Sequence, residues 1–166
     1  FGELIINDIS AGEADERMID VVAQAGVPYV AMHMRGEPLS MQHLTDYPKG
    51  VVAEVREHFV ERLAMLRERG VERVIIDPGF GFAKTLEQNY QLMRDLSRFK
   101  ALFPSRKLLV GVSRKSMVYR LLGITPEESL PATQVLHLHA LQNGADILRV
   151  HDVEQAVQTV SLYRML

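Results

Sequence analysis

The stretch DPGFGF, residues 77–82, combines one carboxylate with two glycines and two aromatic residues, which together could bind a flat ligand. It follows an apolar run, where a carboxylate is costly to bury unless it accepts hydrogen bonds. An aspartate facing a concave mouth can accept two parallel N–H bonds from an amino-substituted heterocycle. The two glycines allow a ligand to approach the backbone closely. We therefore predict that Asp77 lines a site for a planar, nitrogen-rich molecule.

Two further stretches favour an anion. The sequence SRKS, residues 113–116, lies at a predicted strand-to-helix turn. Two cations in a first helical turn, Arg114 and Lys115, are unfavourable unless a negative ligand or partner compensates them. Arg149 and His151 stand two residues apart on a predicted strand and therefore project to the same side. Such a pair can hold a phosphate group, because the guanidinium binds it bidentately and the imidazole adds a donor.

These residues stand at the ends of predicted strands. Five apolar runs are typical of buried strands, and segments with helical spacing alternate with them. The runs are LIIND (4–8), YVAMHM (29–34), RVIIDPG (73–79), KLLVGVS (107–113) and DILRVHD (146–152). Glycines at 26, 70, 123 and 144 predict helix ends. The sequence ITPEES (124–129) predicts a further helix start, with Thr125 as N-cap and Glu128 completing a capping box.

The alternation of strands and helices predicts a parallel sheet. Two architectures compete, because 166 residues suit a doubly wound sheet, whereas a complete barrel needs at least about 200. A doubly wound sheet concentrates its special residues at one switch point, yet all five predicted strands end in polar or glycine-rich sequence. We predict one α/β domain over residues 1–166, an incomplete (β/α) TIM-type barrel of about five units. Residues 35–50 form its longest irregular stretch, a candidate mobile element.

Composition excludes several function classes. The net charge of −2 and the pI near 6.3 give no basic field for nucleic acid or anionic membrane. The absence of cysteine excludes disulfides, thiolate metal sites and a cysteine nucleophile. We expect a cytoplasmic protein without a membrane partner. The remaining histidines lack metal-ligand spacing and are predicted to be surface or packing residues: His43, His58, His137 and His139.

The motifs IINDIS, MHMRGEP, DPGFGFAKTLEQN, GVSRKSM and LRVHD, in this order, resemble dihydropteroate synthases along essentially the whole chain. The resemblance implies a transferase of folate biosynthesis and a sulfonamide target. Its reaction joins 7,8-dihydropterin-6-ylmethyl diphosphate to p-aminobenzoate, giving 7,8-dihydropteroate and pyrophosphate. It also implies small-molecule substrates and a homodimer formed by helices over residues 86–100, 116–142 and 153–166.

The resemblance also assigns site residues. The pterin would be bound by Asn7, Ile9, Met32, Asp77, Phe80, Gly81 and Lys115. The p-aminobenzoate would be bound by Phe82, Ser113 and Lys115, and the diphosphate by Arg149 and His151. Catalysis would fall to Asp77, Lys115, Arg149 and His151. The implied Mg²⁺ would be held by an asparagine of an N-terminal part that this chain lacks, so no metal ligand is predicted within it.

In the family barrel, the chain corresponds to strands 4 to 8, and roughly three β/α units are missing. We therefore expect the isolated chain to be catalytically inactive. Its two apolar edge strands invite association or completion by another chain. Two alternatives stay open: a pterin-binding methyltransferase, which has no need for Lys115 and the Arg-x-His pair, and a non-catalytic barrel remnant or partner subunit.

Overall fold

The computed structural model describes residues 4–37 and 40–166. Five strands alternate with seven α-helices in this part of the chain. The strands are β1 (Ile6–Asp8), β2 (Tyr29–Met32), β3 (Val74–Asp77), β4 (Lys107–Val110) and β5 (Ile147–Leu148). The helices are α1 (Met18–Ala25), α2 (Val51–Glu68), α3 (Leu86–Arg94), α4 (Leu96–Leu102), α5 (Ser116–Leu122), α6 (Leu130–Gln142) and α7 (Val153–Tyr163), with a 3₁₀ turn at Met41–His43.

The strands form one parallel sheet in the order β1-β2-β3-β4-β5. A doubly wound sheet reverses direction at a switch point, but here every strand lies beside its sequence neighbour. The sequential order is that of a (β/α) barrel wall, so the predicted fold class is confirmed. Within the described ranges β1 and β5 stand at the two edges of the sheet and do not pair with each other.

The two faces of the sheet carry different surroundings. One face packs on the helices and forms the main core, which includes Ile76 and Leu108 from the strands and Phe59 and Phe99 from the helices. The opposite face carries a small apolar cluster of Val30, Ile75, Leu109 and Ile147. We call this second face the inner face, since it corresponds to the interior of a barrel.

An aromatic group anchors α2 and α4 in the main core. The rings of Phe59, Phe99 and Phe103 pack with centroid distances of 5.3 to 6.1 Å, at tilted or edge-to-face angles. Each such pair contributes roughly 0.5–1.5 kcal/mol beyond the burial of its area. These rings belong to the same main core as Ile76 of β3 and Leu108 of β4.

The element boundaries differ from prediction in several places. The strands are shorter than their apolar runs, and the helical segment 86–100 is divided at Asp95 into α3 and α4. The predicted capping box between Thr125 and Glu128 does form, at 2.9 and 3.3 Å, but in a turn. The helix α6 begins later, at Leu130. The predicted glycine ends are confirmed most directly at Gly26 and Gly123, which cap α1 and α5 in the left-handed conformation.

The segment 35–50 is tied to the rest of the fold at both ends of its described part. Arg35 donates to Glu54 of α2 and lies over the ring of Tyr47. Tyr47 donates its hydroxyl proton to the carbonyl of Ala83, at 2.9 Å. Residues 38 and 39 of this candidate mobile element lie outside the described residues, and its mobility stays a prediction. Across the described ranges, no helix combines the length and apolarity needed to cross a membrane.

Candidate functional site

The predicted ligand-binding residues lie at the carboxyl ends of the strands. Asn7 pairs with Val30, and Met32 pairs with Asp77. Residues that pair across parallel strands share a face of the sheet, so Asn7, Met32 and Asp77 all belong to the inner face. The sheet thus brings together three residues that are 25 and 45 positions apart in sequence.

Asp77 ends β3 and is only 6% exposed. Its Oδ1 accepts a hydrogen bond from the N–H of Gly79, at 2.8 Å. Within residues 4–37 and 40–166, its Oδ2 accepts none. Burial raises the pKa of Asp77, and the hydrogen bond from Gly79 and the charges of Lys115, Lys84 and Arg149 oppose that rise. The carboxylate therefore has an oxygen for a ligand donor, within the reach of three cations.

The glycines of the loop after β3 are required by its shape. Gly79 has φ +72°, and a β-carbon there would lie 2.0 Å from the carbonyl oxygen of His33. Gly81 has φ +81°, and a β-carbon would lie 3.2 Å from Cδ of Lys115. Both positions combine a left-handed backbone with a close neighbour, so only glycine fits without rearrangement. The close neighbours in the structure are the carbonyl of His33 and the side chain of Lys115, and the predicted approach of a flat ligand stays a prediction.

Lys115 crosses this loop from the end of β4. Its Nζ donates to the carbonyl of Phe80 and lies 4.7 Å from the ring centroid of Phe82. Burial lowers the pKa of Lys115 to about 8, with Arg149 acting in the same direction and Asp77 opposing it. The structure thus brings Lys115 together with Asp77 and Phe82, as the sequence predicted. An amine of this kind can bind an aromatic ligand edge or an anion.

Ser113 and His151 connect the ends of β4 and β5. The Ser113 Oγ lies 3.2 Å from the backbone nitrogen and 3.1 Å from Nδ1 of His151. Arg149 is exposed and lies against Gly111, with 3.6 Å between its Cβ and the position that a β-carbon of Gly111 would take. Arg149 makes no ion pair within the described part of the chain. Ser113 itself is buried, and its side chain contacts His151.

Arg114 and Lys115 do not lie in the first turn of a helix, contrary to the prediction from the sequence. The helix α5 begins at Ser116, so Arg114 and Lys115 precede it. Arg114 forms an ion pair with Asp152, which lowers the pKa of that carboxyl. The compensating negative group for Arg114 is therefore a side chain, and only Lys115, Arg149 and His151 stay available for an anion.

Three predicted pterin residues take different positions. Met32 is buried next to Asp77, and Ile9 is partly exposed after β1. Phe80 lies fully buried in the main core, so its carbonyl, and not its ring, meets Lys115. The aromatic ring that lies beside Lys115 belongs to Phe82.

Sequence reasoning missed two buried residues that hold this loop. Lys84 bonds to Nδ1 of His33 at 2.9 Å and to the carbonyls of Gly79 and Phe82 at 3.0 Å each. Asn89 accepts from the N–H of Gly81 at 2.7 Å and donates to two carbonyls at the start of α3. Both belong to the motif DPGFGFAKTLEQN, but neither position shows from spacing alone that its side chain turns inward.

The described residues do not assemble a metal site from their own side chains. No group of three carboxylate or imidazole residues gathers in the described ranges. Asp8 has other partners, since it accepts from Ser10, Gly12 and Tyr29. The implied Mg²⁺ does not fit these side chains, so no chemistry of this chain is derived through it. Of the other histidines, His58 packs edge-on against His33 and Phe59 and His137 is fully buried, whereas His43 is exposed on the 3₁₀ turn.

The family model described as pterin binding enzyme matches residues 1–151. The dihydropteroate synthase of Synechocystis sp. is 44% identical over 161 residues, which cover 95% of this chain and 54% of that protein. The dihydropteroate synthase of Escherichia coli is 39% identical over 161 residues, covering 96% and 56% respectively. The chain thus spans about half the length of the curated relatives it matches.

Solved structures agree in fold. Dihydropteroate synthase from Stenotrophomonas maltophilia, with active site-bound imidazole, superposes with a TM-score of 0.91 at 40% identity, covering 97% of this chain and 60% of the other. The Thermus thermophilus enzyme in complex with 4-aminobenzoate gives a TM-score of 0.92 at 36% identity, covering 99% and 66%. The same enzyme in complex with 6HMPPP gives 0.91 at 36%, covering 98% and 64%. By its sequence and its fold, the chain belongs to the pterin binding enzyme family.

Proposed function

We propose that this chain carries the pterin- and diphosphate-binding half of a dihydropteroate synthase site. The observation on which the proposal depends is the setting of Asp77, a buried carboxylate with one oxygen unbonded, facing inward beside Met32. Such a carboxylate can accept two N–H bonds from the amino edge of a pterin. The charged acceptor strengthens those bonds, which are worth about 1.5–3 kcal/mol each.

The other residues fit the remaining parts of the substrates. Phe82 and Lys115 form a side of the pocket on which an aromatic amine can lie. Arg149 and His151 stand at the next strand end, where they would bind the diphosphate. Displacement of pyrophosphate from the pterin methylene is helped by stabilising the negative charge that departs, so these two residues would act on the leaving group. Asp77 would stabilise positive charge that develops on the ring.

The side chains that the structure describes do not form a Mg²⁺ site, so the ligands of the implied Mg²⁺ would be other groups. When bound, it would neutralise charge on the diphosphate. The anion-binding pair also favours the synthase over a methyltransferase, since methyl transfer to or from a pterin releases no diphosphate. The relatives carry out their activity with about twice this length of chain, and we expect the 166 residues alone to bind pterin without forming dihydropteroate.

The test is a fluorescence titration of the purified chain with 6-hydroxymethylpterin, with folding verified by circular dichroism. We expect saturable binding, and Asp77→Asn should weaken it at least about tenfold, as for loss of one charge-assisted bond. Asp95→Asn is the matched control, because Asp95 lies between α3 and α4, away from the strand ends. A wild-type chain that folds but does not bind pterin would overturn the proposal, as would equal binding by Asp77→Asn.

We also propose that a second copy of the chain covers the outer surface of the last helices. Large apolar side chains are exposed there, and contiguous exposed apolar area is typical of an interface. They are Leu121, Leu122, Val135, Val153, Val157 and Leu162. Sedimentation velocity should give a dimer that Val135→Glu with Val157→Glu dissociates. A wild-type monomer at micromolar concentration would contradict this assembly.

A further inference from the structure

Lys84 is a buried lysine whose ammonium group is surrounded by three acceptors. Its Nζ lies 2.9 Å from Nδ1 of His33, and 3.0 Å from each of the carbonyl oxygens of Gly79 and Phe82. An ammonium group has three protons, so each acceptor receives one. The His33 Nδ1 must then be unprotonated, and burial lowers the pKa of His33 to about 2.

The acceptors around Lys84 lie next to the residue proposed to bind the pterin. His33 directly follows Met32, the partner of Asp77 on the neighbouring strand. Gly79 gives its carbonyl to Lys84 and its N–H to Asp77. One side chain therefore fixes the turn that holds the Asp77 carboxylate, and it does so from the helix side of the sheet.

We propose that Lys84 is a positioning residue of the pterin site: it orients Asp77 through the Gly79 turn and holds a positive charge behind the carboxylate. The inference rests on the proposed function, because it takes the pterin as the ligand of Asp77. A buried lysine is energetically unfavourable at this position, since burying a charge costs far more free energy than burying an apolar side chain of equal size. A role in the charge of the site explains why a lysine is present, and loop packing alone does not.

The surrounding charges define what removal of Lys84 should do. Lys115 and Arg149 act on Asp77 from the ligand side, and both lower its pKa, as Lys84 does. Arg35 adds positive charge near both His33 and Lys84, whereas His58, which faces His33, is neutral at neutral pH because burial lowers its pKa to about 4. Burial lowers the pKa of Lys84 to about 7, and Asp77 opposes that fall. Lys84 is therefore charged below about pH 7, and loss of its charge in that range should raise the pKa of Asp77.

The experiment compares two variants that remove the charge of Lys84 with a control variant that removes the charge of another lysine. Lys84→Met keeps the length of the side chain without its charge or donors, and Lys84→Gln keeps two donors without the charge. The control is Lys100→Met, because Lys100 also bonds a backbone carbonyl and a carboxylate, those of Arg106 and Asp146, at the opposite end of the sheet. We expect either Lys84 variant to bind 6-hydroxymethylpterin at least about tenfold more weakly, and Lys100→Met to bind it as the wild type does.

A rescue and a spectroscopic measurement separate positioning from mere folding. The 166 residues contain no cysteine, so Lys84→Cys can be aminoethylated uniquely in denaturant and refolded. This restores an amine on a side chain of lysine length. The affinity for pterin should then return to within about threefold of wild type, which is less than the roughly tenfold loss expected from one missing hydrogen bond. In Lys84→Gln, the ¹³C titration of the Asp77 carboxyl should move to higher pH.

The outcomes distinguish this inference from the proposed function. A wild-type chain without pterin binding defeats the function, and the Asp77 titration then still tests the charge behind it. Wild-type affinity in both Lys84 variants, or an unshifted Asp77 titration, defeats the inference and leaves the function intact. An aminoethylated chain that folds yet binds pterin no better than unmodified Lys84→Cys also defeats the inference and leaves the proposed function intact.

Discussion

Ser113 and His151 make a double contact across the ends of β4 and β5, at 3.2 Å to the backbone nitrogen and 3.1 Å to Nδ1. The hydroxyl oxygen accepts the backbone N–H of His151 and lies within hydrogen-bond distance of Nδ1. Ser113 thus holds the imidazole by its Nδ1 side, and among the described residues Nε2 has no hydrogen-bond partner and can serve an anion.

Replacement of Ser113 should weaken anion binding. In Ser113→Ala the backbone N–H and Nδ1 of His151 lose their partner, so the imidazole is no longer held in one orientation. We expect the dissociation constant for inorganic pyrophosphate, measured by calorimetry without p-aminobenzoate, to rise roughly 3- to 30-fold. Ser113→Thr keeps the hydroxyl and should stay near wild type. Equal pyrophosphate affinity in Ser113→Ala would show that the contact does not orient His151.

Gly79 should tolerate no side chain. Gly79→Ala places a β-carbon against the His33 carbonyl at a positive φ, so strain and overlap add to about 2–5 kcal/mol of destabilisation. Gly123→Ala is the control, because it has φ +66° but nothing within 4 Å of its β-carbon. It should cost only about 1–2 kcal/mol. Urea unfolding measures both, and equal losses would mean that the loop can shift away from β2.

Asn89 should stabilise the loop after β3 through its three hydrogen bonds. Asn89→Ala leaves the N–H of Gly81 and two carbonyls without this partner in a buried setting. We expect a loss of about 2–4 kcal/mol in the free energy of unfolding. Asn143→Ala removes two partly buried side-chain contacts, to the carbonyl of His139 at 2.8 Å and to its Nε2 at 3.4 Å, and should cost less. Similar losses in the two variants would contradict the special role of Asn89.

Stability should fall on acidification because His33 is buried and neutral. Its folded pKa is lowered to about 2 by burial and by Lys84, whereas the unfolded histidine titrates near 6.5. Between these values the unfolded chain binds more protons, so stability rises with pH, by up to about 1.4 kcal/mol per pH unit for one histidine. Burial lowers the pKa of His58 to about 4, which adds to the slope.

The measurement is the free energy of unfolding in urea between pH 5 and pH 6.5. His33→Gln should reduce the slope of the unfolding free energy against pH by up to about 1.4 kcal/mol per pH unit, the contribution of one proton. Carboxylates contribute equally to the slopes of the variant and the wild type. His43→Gln is the control, since His43 is exposed on the 3₁₀ turn. An unchanged slope in His33→Gln would mean that His33 is protonated in the folded chain.

The sequence by itself determined the alternation of strands and helices, the barrel-type sheet and the strand ends that carry the site. Apolar runs and helical stripes are local patterns, and each polar strand end follows directly from its position in the run. The sequence pattern therefore places Asp77, Lys115 and His151 at one edge of a sheet. The order of the strands made them neighbours, as five consecutive β/α units require.

Only the tertiary structure decided which side chains face the ligand and which support them. By sequence Arg114 has the same predicted role as Lys115, but in the structure it pairs with Asp152. Phe80 likewise resembles Phe82 by sequence, but its ring lies in the main core. Lys84 and Asn89 carry no periodic signal, because their partners are backbone groups brought close by the left-handed turns at Gly79 and Gly81. Such contacts depend on the path of the chain in three dimensions, which spacing along a sequence does not encode.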